Sequence, residues 1–454
     1  MAPRMSAEAA PVRPAVGDEL ELTIESLAFG GAGVARAGGY VVFVDGAFPG
    51  DRVRARVHHR KRSYAQARSV ELLEPGPGRV EPLADHPGAP WQELSYELQL
   101  DIKQRQVDDA LRRIGHLDGF ALEPIVPAVE QWRYRNKLEY SFGTGSDGEL
   151  ICGFHAPGSW EQIDQIEDCL LASQAGNQAR RAVLNWCRSQ NLVAFDRRAH
   201  TGFLRNLVVR EGRRTGQIQL RLITTDGELD GDSLAAATAV HSLLWTRTDA
   251  VAETSSGGST ELLAGSYSFD ERLCGLDLAI SPEAFFQTNT EMAEQLYALA
   301  GEACGLQGWE RVFDLFCGTG TIGLSLAAHA GHVFGLEIVP RAVADAIANA
   351  SRNEIANASF FAGDVRLVMR ELREKAGRPD VVIIDPPRAG LSQKVIRRII
   401  ETSPKRIVYV SCNPTTLAPN AAQLAEAGWR LERVTPVDMF PQTPHIECVA
   451  LLTR

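Results

Sequence analysis

A cysteine follows an apolar run in the C-terminal part of the chain. The segment "VYVSCNPTTLAPN" (408–420) opens with residues typical of a buried strand, and Cys412 comes directly after them. Because ligands bind at the carboxyl ends of parallel strands, we expect Cys412 at the mouth of a binding crevice. A thiolate there can add to C6 of a pyrimidine, which makes C5 nucleophilic enough to attack a methylsulfonium group.

Two carboxyl groups stand in motifs on either side of this cysteine in the sequence. Asp385 ends the apolar run of "VVIIDPPRAGL" (381–391), and Glu447 lies between apolar residues in "MFPQTPHIECVALL" (439–452). After methyl transfer the C5 hydrogen must leave as a proton, so a base such as Glu447 is needed before the cysteine is eliminated. Arg388 stands where amino-group methyltransferases carry an aromatic residue. This argues against methylation of an adenine amino group and favours a carbon target or a backbone contact.

A glycine-rich turn predicts the site of a cofactor. In "DLFCGTGTIGL" (314–324) a Gly-x-Gly turn joins a predicted strand to a predicted helix, and the next two strands end in Glu337 and Asp364. Glu337 is placed to accept the two ribose hydroxyls of a nucleoside, and Asp364 to lie beside its adenine edge. The glycine spacing also permits NAD, but Asp314 would repel a pyrophosphate and suits the ammonium group of a methionine. S-adenosylmethionine is therefore favoured over NAD.

These residues require a sheet whose strand ends converge. From Trp309 onward predicted strands alternate with predicted helices, which indicates an α/β fold with a doubly wound, mostly parallel, Rossmann-like sheet in residues 281–454. Residues 16–75 carry short strands separated by glycine turns and predict a small β-barrel. Residues 76–280 predict a linker, a helix and a central mixed α+β domain, and residues 1–15 predict a disordered tail.

Basic residues concentrate in the predicted barrel, although the chain as a whole is acidic. The formal net charge is −10, whereas the stretch Arg52–Arg68 carries seven Lys/Arg and no acid, with a tyrosine among them. Cations and an aromatic ring on a small barrel favour RNA binding, and a charged edge strand is the structural alternative.

The central domain carries further cations at strand-like spacing. Arg133, Arg135 and Lys137 alternate as on one face of a strand, and a second basic strand pair is predicted over residues 203–223. We therefore expect the central domain to contact RNA as well.

Composition excludes several classes of protein. No apolar run approaches the roughly 20 residues of a bilayer span, and the first residues lack the apolar core of a secretory signal. The eight cysteines are scattered without a CxxC pair, which favours reduced thiols over a disulfide framework or a zinc site. The chain is expected to be a cytoplasmic monomer without a metal centre or a membrane anchor.

Four motifs, "DLFCGTG", "DPPRAG", "YVSCNPTTLA" and "DMFPQTPHIE", resemble in this order the RNA 5-methyluridine methyltransferases, which act on uridines of tRNA or ribosomal RNA. The segment "SPEAFFQTN" (281–289) is similar to the family's entry to the catalytic domain, and the barrel resembles the TRAM domain of ribosomal RNA members. The resemblance covers nearly the whole chain after residue 15. It implies that Cys412 is the nucleophile and Glu447 the proton acceptor. The cofactor contacts it implies are Gln287, Phe316, Thr321, Glu337, Asp364 and Asp385, of which Thr321 differs from the residue types expected there.

One segment departs from the family pattern. Many TRAM-bearing relatives hold a [4Fe–4S] cluster on four cysteines, three of them before the helix of "WQELSYELQLDIK". Here the preceding segment, "EPLADHPGAP" (81–90), contains no cysteine, and Cys169 alone matches the fourth position. A single thiol cannot hold the cluster, so we expect no iron–sulfur cluster.

The function implied is S-adenosylmethionine-dependent methylation of uridine C5, on a base unstacked from its RNA helix. Because of the barrel, 23S ribosomal RNA is favoured as substrate, with tRNA as the alternative. A 5-methylcytidine methyltransferase would be expected to carry a cysteine near the Asp-Pro motif, where this chain has Arg388. The other rival is an RNA-binding protein that has lost catalysis, and the presence of both Cys412 and Glu447 argues against it.

Overall fold

The structure is a computed structural model that describes residues 13–156, 158–159, 161–250 and 257–454. These residues form two compact units. The first contains residues 13–85, Ala89–Val107 and Pro441–His445, and the second contains His86–Gly88, Asp108–Phe440 and Ile446–Arg454. The tail predicted for residues 1–15 lies outside the described residues as far as residue 12.

The first unit is built around a six-stranded barrel. Its strands are β1 (Glu19–Thr23), β2 (Ser26–Leu27), β3 (Gly33–Ala37), β4 (Tyr40–Asp45), β5 (Arg52–Arg60) and β6 (Tyr64–Glu74). They pair in the order β1-β5-β6-β4-β3-β2. Because the two end strands of this order, β1 and β2, are nearly continuous in the chain, the sheet must curl round on itself. Alternate residues of β5 (Val53, Ala55 and Val57) fill the interior, which confirms the predicted barrel.

Along the chain, a helix that belongs mostly to the first unit leads into the mixed sheet of the second unit. Helix α1 (Tyr96–Asp109) continues as a π-helical turn, Ala110–Ile114. The following elements are β7 (Ala121–Leu122), β8 (Lys137–Thr144), β9 (Leu150–His155), β10 (Ile163–Gln165), α2 (Gln174–Ser189), β11 (Leu204–Glu211), β12 (Ile218–Thr224), α3 (Gly231–Thr238), β13 (Ser242–Arg247) and β14 (Ser259–Gly265). Strands β8 to β14 form the central sheet, in the order β10-β9-β8-β11-β12-β13-β14. Only β12 and β13 pair in parallel among these described strands.

The C-terminal part of the second unit is an α/β sheet. A hairpin of β15 (Phe269–Leu273) and β16 (Leu276–Ile280) leads into it. Its elements are α4 (Thr290–Cys304), β17 (Arg311–Leu315), α5 (Thr321–Leu326) with a 3₁₀ turn (Ala327–His329), β18 (His332–Glu337), α6 (Pro340–Arg352), β19 (Ala358–Ala362), α7 (Val365–Ala376), β20 (Val381–Ile384), α8 (Gln393–Thr402), β21 (Arg406–Ser411), α9 (Pro414–Glu426), β22 (Arg430–Val437) and β23 (Glu447–Thr453).

The strand order of this sheet is β19-β18-β17-β20-β21-β23-β22-β7. Strands β17 to β21 are parallel, and β23 is antiparallel to both of its neighbours. Every residue of β20 is buried, as expected for a strand covered by helices on both faces. The predicted α/β class with a Rossmann-like, mostly parallel sheet is confirmed.

Two details of the central domain differ from expectation. The strand predicted to carry Arg133, Arg135 and Lys137 is wrong, because β8 begins only at Lys137 and Arg133 has a left-handed backbone with φ 55°. The strand pair predicted over residues 203–223 is present as β11 and β12. Its arginines are buried rather than presented on a surface: Arg205, Arg210 and Arg221.

None of the helices in the described residues is long and apolar enough to cross a membrane. The longest, α2, has 16 residues.

Candidate active site

A cavity of about 930 Å³ lies at the carboxyl ends of the parallel strands. Its walls come from the loops after β17 to β21, the segment before α4 and the start of β23. All eight residues that the sequence predicts for the site line this cavity: Gln287, Phe316, Thr321, Glu337, Asp364, Asp385, Cys412 and Glu447. The loops converge because parallel strands end at one edge of a sheet.

Strand pairing brings Cys412 and Glu447 together. Strands β21 and β23 are antiparallel, and Ser411 pairs with Cys448. The next step of this register places Cys412 opposite Glu447, and both residues line the cavity. Opposite residues of an antiparallel pair have their Cα atoms about 5 Å apart, so the thiol and the carboxyl group can act on one bound molecule.

The protonation of these two groups is set mainly by burial. Burial first, and then the charges of Glu447 and Asp385, raise the pKa of Cys412 to about 11, although Arg388 acts in the opposite direction. Arg388 is the side chain whose charge favours the thiolate, and the effects that raise the pKa outweigh it. Burial, with the Asp385 charge, also raises the pKa of Glu447 well above its ordinary range. This favours the neutral acid, and it makes Glu447 a stronger base once it is ionised.

The residue after the cysteine anchors its loop. Asn413 caps α9, since its Oδ1 accepts a hydrogen bond of 3.0 Å from the Thr415 backbone N–H. The Nδ2 atom of Asn413 donates to the Arg388 carbonyl oxygen at 3.1 Å. The cysteine loop and the Asp-Pro-Pro-Arg loop are thus joined directly, and the exposed Arg388 side chain lines the cavity.

Asp385 extends from the end of β20 into the cavity. Burial raises its pKa to about 7. Among the described residues no hydrogen-bond donor contacts the carboxylate of Asp385 or of Glu447. Glu447 is buried and Asp385 is half-buried. A carboxylate with little access to water and no donor is costly, so both groups are suited to a ligand that brings a cation or an N–H group.

The glycine-rich turn and Glu337 form the other end of the cavity. The turn needs left-handed backbone, with φ 63° at Phe316 and 75° at Gly320, and a Cβ on Gly320 would lie 2.7 Å from the Phe360 ring. The two carboxylate oxygens of Glu337 accept backbone hydrogen bonds from Gly318, at 3.1 Å, and Val339, at 3.0 Å. These bonds fix the Glu337 carboxylate beside the turn, where a ribose acceptor was predicted.

Two predicted cofactor residues have their polar groups engaged by the protein. The hydroxyl groups of Thr321 and Tyr297 are 2.9 Å apart. Asp364 caps α7 and pairs with Arg366, whose hydrogen bonds lower the pKa of Asp364. Both residues line the cavity, but a ligand would have to share or displace these bonds.

Asp314 is not where the sequence placed it. It was expected to face the ammonium group of a methionine, but it is fully buried and does not line the cavity. Its Oδ2 accepts a hydrogen bond of 3.0 Å from Gly323, and burial raises its pKa to about 7. Asp314 therefore holds the first turn of α5 rather than a ligand.

The cavity also includes aromatic residues to which the sequence assigned no role. Phe285 is 67% exposed and lines the cavity, whereas its neighbour Phe286 is buried. Phe440 lines it from the segment before β23. The double phenylalanine of "SPEAFFQTN" was a usable signal for Phe285, because one of two adjacent residues outside a helix faces solvent. No local pattern marked Phe440.

The basic stretch of the barrel is partly neutralised. Arg52, Arg54 and Arg56 of β5 each pair with glutamates on the flanking strands: Glu19, Glu21, Glu71 and Glu74. The other cations of the stretch make no ion pair among the described residues: Arg60, Lys61, Arg62 and Arg68. Lys61 lies 5.6 Å from the centre of the Tyr64 ring. Available positive charge is thus concentrated at the β5–β6 turn and on β6.

Cys169 has a different partner from the one its family position implies. Its Sγ lies 3.2 Å from Nε2 of His86, and both residues are buried. In the part of the chain that the structure describes, no group of three or more His, Cys, Asp or Glu could hold a metal ion. The expected lack of an iron–sulfur cluster stays a prediction.

The parallel sheet, the glycine turn beside Glu337 and the cavity at the strand ends define a Rossmann-like, S-adenosylmethionine-dependent methyltransferase. The cavity suits this cofactor, because Glu337 can accept ribose hydroxyls and Asp385 offers an unpaired carboxylate to a cationic ligand.

Comparison with known proteins identifies the family. The tRNA (uracil-5-)-methyltransferase profile matches residues 276–454, and the TRAM domain profile matches residues 13–70. An uncharacterized RNA methyltransferase of Halalkalibacterium halodurans is 38% identical over 458 residues, 99% of this chain and 99% of the relative. Another, of Clostridium tetani, is 37% identical over 451 residues, 96% of this chain and 98% of the relative. The chain therefore belongs to the RNA (uracil-C5)-methyltransferase family.

A solved structure extends this comparison to the fold. The Pyrococcus abyssi tRNA (uracil-54, C5)-methyltransferase in complex with S-adenosyl-L-homocysteine is 28% identical, with a TM-score of 0.80. The match covers 96% of this chain and 100% of that one. The family, the enzyme class, the cofactor and the TRAM barrel predicted from the sequence are confirmed.

Proposed function

We propose that this enzyme methylates C5 of a uridine through a transient covalent bond between Cys412 and C6 of the base, with Glu447 as the base that ends the reaction. The observation that carries the proposal is the β21–β23 register, which places Cys412 opposite Glu447 in the cavity that also contains Asp385.

The residues would act in a fixed order. The Cys412 thiolate adds to C6, so that the S–C6 bond forms and electron density moves to C5. S-adenosylmethionine, when bound, supplies an electrophilic methyl group. Glu447 then takes the proton from C5, the C5–C6 double bond re-forms and the S–C6 bond breaks, returning the thiolate. Arg388, which lowers the pKa of both Cys412 and Glu447, favours their ionised forms.

The proposed cofactor contacts fall into two groups, according to whether another side chain already bonds to them. Glu337 would bind the ribose, and Asp385 would face a positively charged part of the cofactor. Phe316 and Gln287 line the cavity beside them. Thr321 and Asp364 are weaker candidates, because Tyr297 and Arg366 already engage them.

We propose RNA contact at the barrel through the cations that have no glutamate partner. Arg60, Lys61 and Arg62 at the β5–β6 turn combine positive charge with the nearby Tyr64 ring, as single-stranded RNA requires. This narrows the predicted basic stretch to one end of β5 and to β6.

Ribosomal RNA, and 23S RNA in particular, is the proposed substrate on the strength of the TRAM barrel. tRNA is the second candidate, since the matching profile is named for tRNA and the Pyrococcus neighbour is a tRNA methyltransferase. If the enzyme methylated cytidine instead, a cysteine would be expected near Asp385, where the chain has Arg388. If the protein only bound RNA without catalysis, the placement of Cys412 opposite Glu447 in the cavity would have no explanation.

Mapping of 5-methyluridine in RNA decides the substrate. Ribosomal RNA and tRNA from cells lacking the protein would be compared with RNA from cells that carry it again. We expect one or more 23S positions to lose and regain the methyl group. Loss confined to tRNA would favour the second candidate, and unchanged 5-methyluridine in both RNAs would contradict the proposal.

The organisation of the chain completes the proposal. We propose that residues 16–75 and the central region 76–280 bind RNA while residues 281–454 perform the chemistry, in a cytoplasmic monomer.

A further inference from the structure

A buried arginine of the central sheet holds the loop that leads into the cavity. Arg210, on β11, is 2% exposed. Its guanidinium donates three hydrogen bonds to backbone carbonyl oxygens of residues 281–289, here called the 281–289 loop. The acceptors are Ser281 at 2.8 Å, Pro282 at 3.0 Å and Ala284 at 3.1 Å.

The positive charge of Arg210 has an aromatic ring beside it rather than a carboxylate. No carboxylate lies within ion-pair distance of it among the described residues, and the Phe269 ring centre lies 5.1 Å from its Cζ. Burial lowers the pKa of Arg210 to about 9, so the side chain is still protonated at neutral pH. A buried cation is costly. The contribution of the guanidinium that offsets this cost is its three hydrogen bonds to the loop backbone.

A second side chain of the central domain holds the other end of the loop. The Nδ2 atom of Asn136 donates to the Gln287 carbonyl oxygen at 2.8 Å and to the Thr290 hydroxyl at 2.9 Å. The backbone N–H of Asn136 donates to the Thr288 carbonyl oxygen at 2.9 Å. The 281–289 loop is thus fixed at both ends by residues outside the C-terminal sheet.

The opposite side of the same loop forms part of the cavity. Ser281, Glu283, Phe285 and Gln287 all line it. The loop has no helix or strand of its own, so its backbone angles depend on such tertiary bonds, and loss of these bonds would let the cavity-lining side chains move.

We propose that Arg210 is a positioning residue for cofactor binding: it holds the 281–289 loop so that Gln287 and its neighbours are presented to the cofactor. Asn136 supports the same loop from its other end. The inference rests on the proposed placement of the cofactor beside Gln287, and it extends the site into the central domain.

The test compares two equally buried arginines. Arg210→Lys keeps the charge but cannot reach three carbonyl oxygens with a planar fork. Arg180→Lys is the matched control, because Arg180 is 1% exposed and donates to two carbonyl oxygens, Cys152 and Glu167, that are remote in sequence from the loop. Affinity for S-adenosylhomocysteine is measured by titration calorimetry on the full chain, together with the melting temperature.

We expect Arg210→Lys to weaken cofactor binding by about tenfold and Arg180→Lys to change it by less than about twofold, while both lower the melting temperature. Equal affinities for the two variants, whether both normal or both weakened, would overturn the proposal. If Arg210→Lys does not fold, Asn136→Ala decides: weakened binding supports the proposal, and wild-type affinity contradicts it. Failure of the wild-type protein to bind the cofactor would instead count against the placement of the site.

Discussion

The charged side chains of barrel strand β5 and those of the cavity differ in exposure and in pairing. On β5, Arg52 and Arg56 are exposed, Arg54 is half-buried, and each has a glutamate partner. In the cavity, Glu447 is buried and Asp385 is half-buried, and loss of contact with water raises the pKa of both. Exposed ion pairs cost and contribute little, whereas buried carboxylates without donors destabilise the empty protein.

The arginines of β5 are therefore paired within the protein, whereas the carboxyl groups of Asp385 and Glu447 are available to a ligand. The glutamates of the barrel cancel the arginines nearest to them, so that part of the basic stretch cannot attract RNA strongly. Asp385 and Glu447 have no such partner among the described residues, so binding of a cationic cofactor would stabilise their ionised forms. Substitutions in the two regions should therefore differ in kind as well as in size.

The largest expected effect comes from Cys412→Ser. A hydroxyl group is a far weaker nucleophile than a thiolate, so we expect methyl transfer to RNA to fall by about 10⁴-fold or more. Cofactor binding should change little. Transfer of a tritiated methyl group measures the rate, and Cys274→Ser, at an exposed free thiol, is the control that should keep full activity.

Glu447→Gln should give a smaller loss of turnover and a different end point. Without a base, proton removal from C5 slows by about 10²- to 10⁴-fold, while addition of Cys412 still occurs. A covalent RNA–protein species should therefore accumulate in a denaturing gel with natural RNA. Glu432→Gln, outside the cavity, should behave as wild type. Normal turnover by Glu447→Gln would show that another group is the base.

Asp385 should make cofactor affinity depend on pH. Because its pKa is about 7, S-adenosylmethionine should bind more tightly as pH rises through that value and the carboxylate ionises. Asp385→Asn should lose most of this dependence and bind about tenfold more weakly at high pH. Calorimetric titration from pH 6 to 8.5 measures the effect. A pH profile that is unchanged in Asp385→Asn would contradict it.

The stability of the empty protein should change with pH in the opposite sense. Folding raises the pKa of Asp385 and of Asp314 from 3.8 to about 7, so the folded state binds more protons than the unfolded state between these values. The free energy of unfolding should therefore fall as pH rises through this window. Urea unfolding without cofactor measures the slope, and Asp385→Asn should reduce it without abolishing it, since Asp314 and Glu447 remain. A rise in stability over the window would contradict the assignment.

These residues differ in how far the sequence alone could place them. Cys412 and Asp385 were predictable because each directly follows an apolar strand, and strand ends of a parallel sheet meet at one edge. The pairing of Cys412 with Glu447 depends on the β21–β23 register, which local patterns do not specify. Asp314 was misplaced because a strand end shows which edge a residue lies near, but not whether its side chain points inward.

Contacts between residues that are distant in the chain could not be predicted from the sequence. The glutamates that neutralise Arg52 and Arg56 on β5 include Glu19 and Glu21 of β1, far away in the chain. The contacts of Arg210 with the 281–289 loop are likewise distant in sequence. Periodicity predicted the barrel and the Rossmann-like sheet, because both depend on local alternation of apolar residues and turns.

The smallest effect is expected at the barrel, where it should separate the two kinds of arginine. Arg60→Gln and Arg62→Gln should each lower the slope of log affinity against log salt by about 1, since each removes a phosphate contact. Arg54→Gln removes the same charge but leaves its glutamate partners, and it should change the slope much less. Filter binding of the proposed RNA at several salt concentrations measures all three. Equal slopes for Arg54→Gln and Arg60→Gln would remove the distinction.

The central claim is the bond between Cys412 and the base, and RNA containing 5-fluorouridine tests it most directly. Fluorine at C5 cannot leave as a proton does, so elimination is blocked after methyl transfer. With S-adenosylmethionine present, we predict a stable complex of protein, RNA and one methyl group, attached at Cys412 by peptide mass spectrometry. Methylation of natural uridine by the same preparation, with no complex or with attachment at another residue, would contradict the account.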